Sequence, residues 1–149
     1  MIKGIKIVGV IGAGEASESI KKIAEQVGRL IAKRGAVLIT GGLSGVMESA
    51  SKGAFMEEGI TVGILPGKRK EDANPYVSIP IATGLGEVRN ALIARASDVL
   101  IAIGGEYGTL SEIALALKMG KRVIGMDTWD ILGVIKADNP EDAVKEAFR

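Results

Sequence analysis

Val99-Leu100-Ile101-Ala102-Ile103-Gly104-Gly105-Glu106-Tyr107-Gly108-Thr109 is the stretch on which the reading of the fold turns. An unbroken apolar run rich in β-branched residues suits a strand buried on both faces. The glycines after it let the backbone turn sharply, and the apolar spacing beyond Thr109 predicts a helix to Met119, closed by Gly120. The same pattern stands upstream. Ala36 to Thr40 reads as a short buried strand, Gly41-Gly42-Leu43-Ser44-Gly45 as the turn, and about Gly45 to Glu58 as the following helix, ended by Gly59. Both turns fit G-G-x-x-G. A third unit comes first: Ile5 to Ile11, then Gly12-Ala13-Gly14, then a helix over 17–33 with Ile20, Ile23, Ala24, Val27, Leu30 and Ile31 on one face.

Working outward, Ile60 to Leu65 repeats the buried-strand signature, and Pro66-Gly67 opens a polar loop holding Lys68, Arg69 and Lys70. Ile79 to Ile81 reads as a minor strand. A helix from about Gly86 runs through Val88, Leu92, Ile93 and Ala96. Arg122 to Met126 is the last clear strand, and Pro140 to Phe148 a terminal helix capped by Asp138 or Asn139. The segment from Trp129 to Ile135 has no assignable pattern. Apolar strands alternating with helices predict a Rossmann-like doubly wound α/β fold, with a mainly parallel sheet covered by helices on both faces. At 149 residues with no internal linker, the expectation is one domain over 1–149.

Composition narrows the chemistry. The chain has no cysteine and no histidine, which removes disulfides, thiolate catalysis, His-dependent triads and zinc sites built on those residues; no metal site is expected. Nineteen Lys and Arg against eighteen Asp and Glu leave a net charge of +1, and aromatics make up 3% of the chain, so neither a broad field for a polyanion nor stacking platforms for single strands are on offer. Nucleic acid is disfavoured as a partner. No apolar run approaches the roughly 18 residues of a membrane span, and the expected location is the cytoplasm, away from the membrane.

In open α/β sheets ligands collect beyond the carboxyl ends of the strands, where helix N-termini offer unpaired N–H groups and about half a positive charge. The chain places its glycines there, so the expected partner is a small phosphorylated, nucleotide-like ligand. The expected contacts are Gly12 and Gly14; Gly41, Gly42, Gly45 and Met47; and Gly104, Gly105, Tyr107, Gly108 and Thr109. Bland alternatives stand beside them. Met47 can equally fill core, Tyr107 can cap the sheet edge, Lys68 to Lys70 can be a solvated charge run, and Thr109-Leu110-Ser111-Glu112 also reads as a capping box. A nicotinamide dinucleotide is disfavoured because Thr40 stands where an acid should close the second strand, and no P-loop motif occurs.

The run Arg89-Asn90-Ala91-Leu92-Ile93-Ala94-Arg95-Ala96-Ser97-Asp98, with Gly104 to Glu112 and Gly41 to Met47, resembles the superfamily labelled lysine-decarboxylase-like. That superfamily includes the Lonely Guy phosphoribohydrolases and the molybdenum cofactor carrier proteins. For the hydrolases the resemblance implies cleavage of the N-glycosidic bond of a nucleoside 5'-monophosphate, with Arg89 and Glu112 as the catalytic pair and Gly105, Gly108 and Thr109 holding phosphate. For the carriers it implies a bound molybdopterin-type ligand or nucleotide and no required cofactor. Asn90 replaces a lysine, Gly104 a proline and Glu106 a glycine of the hydrolase signature, which moves the chain towards the carrier-like branch and towards binding over turnover. A pyridoxal-dependent lysine decarboxylase is not expected, because no lysine here is placed to carry that cofactor. The resemblance, with an apolar fraction of 47%, also implies a homo-oligomer, a dimer or a tetramer.

Overall fold

Branched side chains every other residue fix the first strand: in β1 (Ile7–Gly12), Val8 and Val10 point to one side of the sheet and Ile11 to the other. The structure is a computed structural model that describes residues 4–149. The elements that follow are α1 (Glu18–Lys33), β2 (Val37–Thr40), α2 (Val46–Met56), β3 (Thr61–Leu65), β4 (Ile79–Ala82), α3 (Arg89–Ala96), β5 (Val99–Ile103), α4 (Tyr107–Lys118), β6 (Arg122–Met126), β7 (Val134–Lys136) and α5 (Pro140–Ala147). All seven strands join one parallel sheet in the order β4-β3-β2-β1-β5-β6-β7. This is the doubly wound Rossmann-like architecture expected.

Winding proceeds outward from β1 through β2 and β3 to β4, then resumes from the other side of β1 through β5. Gly12 therefore sits in register with Ile103, and the carboxyl ends of β1 and β5 border the crevice where the connections part to opposite faces.

The two faces are built differently. On one, α1, α2 and α5 cover Val8, Val10, Leu38, Ile101, Ile103 and Ile124. There a Cβ added at Gly28 would strike the Ala50 carbonyl oxygen, and one at Gly53 the Glu25 carbonyl oxygen, so α1 and α2 meet backbone to backbone. Ser17 caps α1, its Oγ accepting from the Ile20 N–H at 3.3 Å, while Glu18 in the first turn and Lys33 in the last complement the helix dipole. On the other face α3 and α4 cover Ile11, Ile39, Leu100, Ala102 and Val123.

Three details differ from the sequence reading. The helix expected at Thr109 begins at Tyr107, with Glu106 at the N-cap and no side-chain cap bond. Thr109 thus lies inside the first turn, and the capping-box alternative for Thr109 and Glu112 is not formed. The unassigned segment after Trp129 contains β7, a three-residue edge strand, and the helix expected from Gly86 opens as a tight 3-10 turn over Gly86–Val88 before α3. Among the described residues no helix is long and apolar enough to cross a membrane, and no group of three or more Asp or Glu is placed to hold a metal ion.

Candidate functional site

A cavity of about 220 Å³ opens at the crevice between β1 and β5. Its walls are the end of β1 and its turn, Val10 to Gly14; Gly41 after β2; Met47 on α2; Arg89 and Asn90 at the head of α3; and Glu106, Gly108, Thr109 and Glu112 around the start of α4. The two glycine turns do converge, one through Gly41 and the other through Gly108 and Thr109.

Two ionisable side chains form its floor. Arg89 is 8% exposed and Glu112 6%. Arg89 donates an Nη1 hydrogen bond to Asn90 Oδ1, while its buried Nε–H has no acceptor. Its Nη2 lies against Gly41, where an added Cβ would stand 2.7 Å from it, so the guanidinium occupies space that only glycine leaves open. Burial lowers the Arg89 pKa from its ordinary value, and attraction from Glu112 and Glu87 partly restores it. Burial pushes Glu112 up to about 7, with Arg89 pulling the other way. Among the described residues neither side chain takes part in an ion pair, and the Glu112 carboxyl has no hydrogen-bonding partner.

Helix α4 opens onto the same space. Its first intrahelical bond runs from the Leu110 N–H to the Glu106 carbonyl, so the first-turn N–H groups before it have no carbonyl of their own helix to reach. Of the expected contacts, Gly42, Gly45, Gly104, Gly105 and Tyr107 do not line this cavity. Gly14 lines both the cavity and an adjoining depression, which it shares with Gly45, Ser44 and Lys21. Gly104 and Gly105 line another depression with Ser17 and Ile20. Gly42 is covered by Leu65, and its N–H donates to Thr40 Oγ1 at 3.0 Å. Thr40, standing where a dinucleotide site would have an acid, thus secures the first turn. Tyr107 is 79% exposed, with its ring against Trp129 at 5.8 Å between centroids. Lys68, Arg69 and Lys70 are exposed and do not line the cavity.

Residues not singled out in the sequence analysis brace both turns. Buried Asn74 donates from Nδ2 to the carbonyls of Gly42 (3.2 Å) and Leu43 (2.9 Å), and its N–H donates to Gly42 at 2.9 Å. Thr128 Oγ1 donates to the Gly104 carbonyl at 2.6 Å, and Trp129 Nε1 to the Glu106 carbonyl at 3.1 Å. Only the turn chemistry of Asn74-Pro75 and the rarity of a single tryptophan hinted at them.

Comparison with known proteins places this arrangement. Residues 5–147 match the SLOG cluster4 family. The chain belongs to that family. The SLOG cluster4 assignment agrees with the Lonely Guy and cofactor-carrier resemblance read from the two glycine motifs. A protein of Archaeoglobus fulgidus is 50% identical over 138 residues, 92% of this chain and 91% of its own length. The solved structure of the molybdenum cofactor binding protein from the phototrophic bacterium Rippkaea orientalis superposes with a TM-score of 0.92 at 44% identity, covering 97% of this chain and 96% of that one. A protein of Oryza sativa subsp. japonica, named a probable cytokinin riboside 5'-monophosphate phosphoribohydrolase, is 35% identical over 98 residues, 64% of this chain but 40% of its own length.

Proposed function

We propose that this SLOG cluster4 protein is a binding protein for a phosphorylated pterin or nucleotide, held at the crevice between β1 and β5. The observation that carries the reading is the buried Arg89, its Nε–H without an acceptor, in a cavity on which both glycine turns converge. The phosphoryl group sits beside Arg89 and the open N–H groups at the head of α4, where guanidinium and helix dipole both favour an anion. Gly41, Gly12 and Gly108 allow close backbone approach, and Met47 lines the wall. At about 220 Å³ the cavity is smaller than the roughly 300–1,000 Å³ of sites that enclose a whole drug-sized ligand. The remainder of the ligand extends into the depressions beside Gly45 and beside Gly104 and Gly105. The likeness to the Rippkaea orientalis protein supports a molybdopterin-type ligand. No added cofactor is needed for such binding, and the setting proposed is a cytoplasmic homo-oligomer.

The test is mass spectrometry of the denatured protein for a co-purifying small molecule, paired with titration of Trp129 fluorescence by AMP, GMP and a pterin phosphate. Trp129 is the only tryptophan and bonds the N-cap residue of α4, so it reports events at that turn. Occupancy at a hundredfold excess over Kd should add about 2.7 kcal/mol of stability. No co-purifying ligand, no fluorescence change and no thermal shift with any of the three would refute the reading.

One observation favours turnover as a second reading. A buried carboxyl held at about 7 is poised to protonate a leaving base or to orient water, as a nucleoside 5'-monophosphate phosphoribohydrolase requires. In that reading Arg89 holds the ribose phosphate and Glu112 performs the proton transfer. Release of free base from AMP or GMP, abolished in Glu112→Gln, would establish it; a panel of nucleoside monophosphates yielding no base would remove it.

A further inference from the structure

The charges around the cavity do not balance for an anion. Among the described residues Arg89 is the one cation lining it, against two carboxylates, exposed Glu106 and buried Glu112. A phosphomonoester above pH 7 brings nearly two negative charges, since its second pKa is about 6. Arg89 cannot neutralise those and an ionised Glu112 together. Among the described residues, no second cation lines the cavity to supply the missing positive charge. On the α3 side stand Arg89, exposed Arg95 in the last turn of the helix and, in the turn before the helix, Glu87. The adjoining strands β1 (Ile7–Gly12) and β5 (Val99–Ile103) carry no ionisable residue, and Arg122 of β6 is engaged with Glu146 of α5 at 3.0 Å. Its own helix carries outward-turned Tyr107 in the first turn and exposed Lys118 in the last, with Glu106 at the N-cap.

Resting on the binding reading above, we propose that Glu112 joins the complex as the neutral acid and donates its O–H to a phosphoryl oxygen beside Arg89, so that a phosphomonoester dianion is taken up together with one proton from solvent. The geometry supplies what the step needs: a buried carboxyl open to the cavity, with no hydrogen bond to give up and no ion pair to break among the described residues. In this role Glu112 determines specificity by charge state. It rejects a dianion when ionised and adds a donor when protonated. The free carboxyl's midpoint near neutrality lets the exchange occur without extreme pH.

The experiment is calorimetric titration of the whole chain with GMP and with inorganic phosphate, at pH 7 to 9 in buffers of differing ionisation enthalpy. The dependence of heat on buffer counts protons. At pH 8.5 uptake should approach one proton per site. Affinity for GMP should fall about fifty-fold between pH 7 and 9, given a free carboxyl titrating at about 7 and a phosphomonoester already dianionic. Affinity for inorganic phosphate should fall by roughly half that factor, because its own second proton is lost near pH 7. Glu112→Gln keeps a donor but cannot ionise, so it should bind at pH 9 about as tightly as the parent does at or below pH 7, with no proton uptake. Binding by the parent with no buffer-dependent heat and a flat pH profile would overturn the proposal while leaving the binding reading intact. Absence of binding by either ligand at pH 7 to either protein would instead count against the binding reading. Should the variant fail to fold, proton counting on the parent decides alone.

Discussion

The seam between α1 and α2 and the space between the heads of α3 and α4 both depend on glycine, to opposite ends. At Gly28 and Gly53 the missing side chain lets one helix backbone rest on the other, and the seam is closed by Ala24, Val27, Ala50 and Ala54. At Gly41 the missing side chain makes room for a guanidinium, and what surrounds it is a cavity with a carboxyl at its floor. The first arrangement spends close packing on stability; the second leaves polar groups underserved, which costs stability and creates a place for something else to bind. The same residue type therefore identifies a function only when the atoms that occupy its vacated space are known.

Substitutions that separate the two uses should fall in a definite order. Gly53→Ala drives a methyl into the Glu25 carbonyl region and should lower stability by about 3 kcal/mol, about 6–12 °C in Tm, whether or not ligand is present. A calorimetric scan showing an unchanged Tm would mean that the helices slide apart without cost.

Glu112→Gln should act with the opposite sign. The carboxyl titrates at about 7 in the folded chain and at about 4.3 when unfolded. The folded state thus holds an extra proton between those values. The contribution to stability is full below about pH 4.3 and is lost as pH rises through about 7. Relative to the parent, the variant should gain up to about 3 kcal/mol between pH 4.5 and pH 8, read from denaturant midpoints at the two pH values. A difference that does not change with pH would show that burial leaves this carboxyl unperturbed.

Gly41→Ala should be milder for the fold, about 1–2 kcal/mol, because Arg89 and the Met47 thioether are flexible enough to move. Its larger effect should be on ligand: displacing the guanidinium should weaken phosphate affinity at least about tenfold, roughly the 1.5–3 kcal/mol of a charge-assisted hydrogen bond. Unchanged affinity would separate Arg89 from the anion site.

How much of this was legible beforehand follows the same division. The β5 run from Val99 to Ile103 is apolar at every position and buried at every position, so its strand could be read directly. The three-residue β7 could not, since Val134 and Ile135 are only half-buried at the sheet edge and nothing local distinguishes them from a loop. The Gly-Gly motifs pointed to the carboxyl end of the sheet, where a cavity lies, and Arg89 and Glu112 emerged through resemblance; both line that cavity. Tyr107 illustrates what was hidden. Its place in the motif suggested a contact, but at the first position of α4 its side chain leans outward onto Trp129. The braces from Asn74, Thr128 and Trp129 were equally unreadable, because their partners lie 23 to 32 residues away and meet only once the sheet has assembled.

Those braces carry a mechanical implication. Each holds a carbonyl of its turn through bonds made wholly within the chain, so the turns around the crevice are shaped without help from an occupant. With the turns held in this way, the part of the crevice that a change of pH alters is the charge at Arg89 and Glu112.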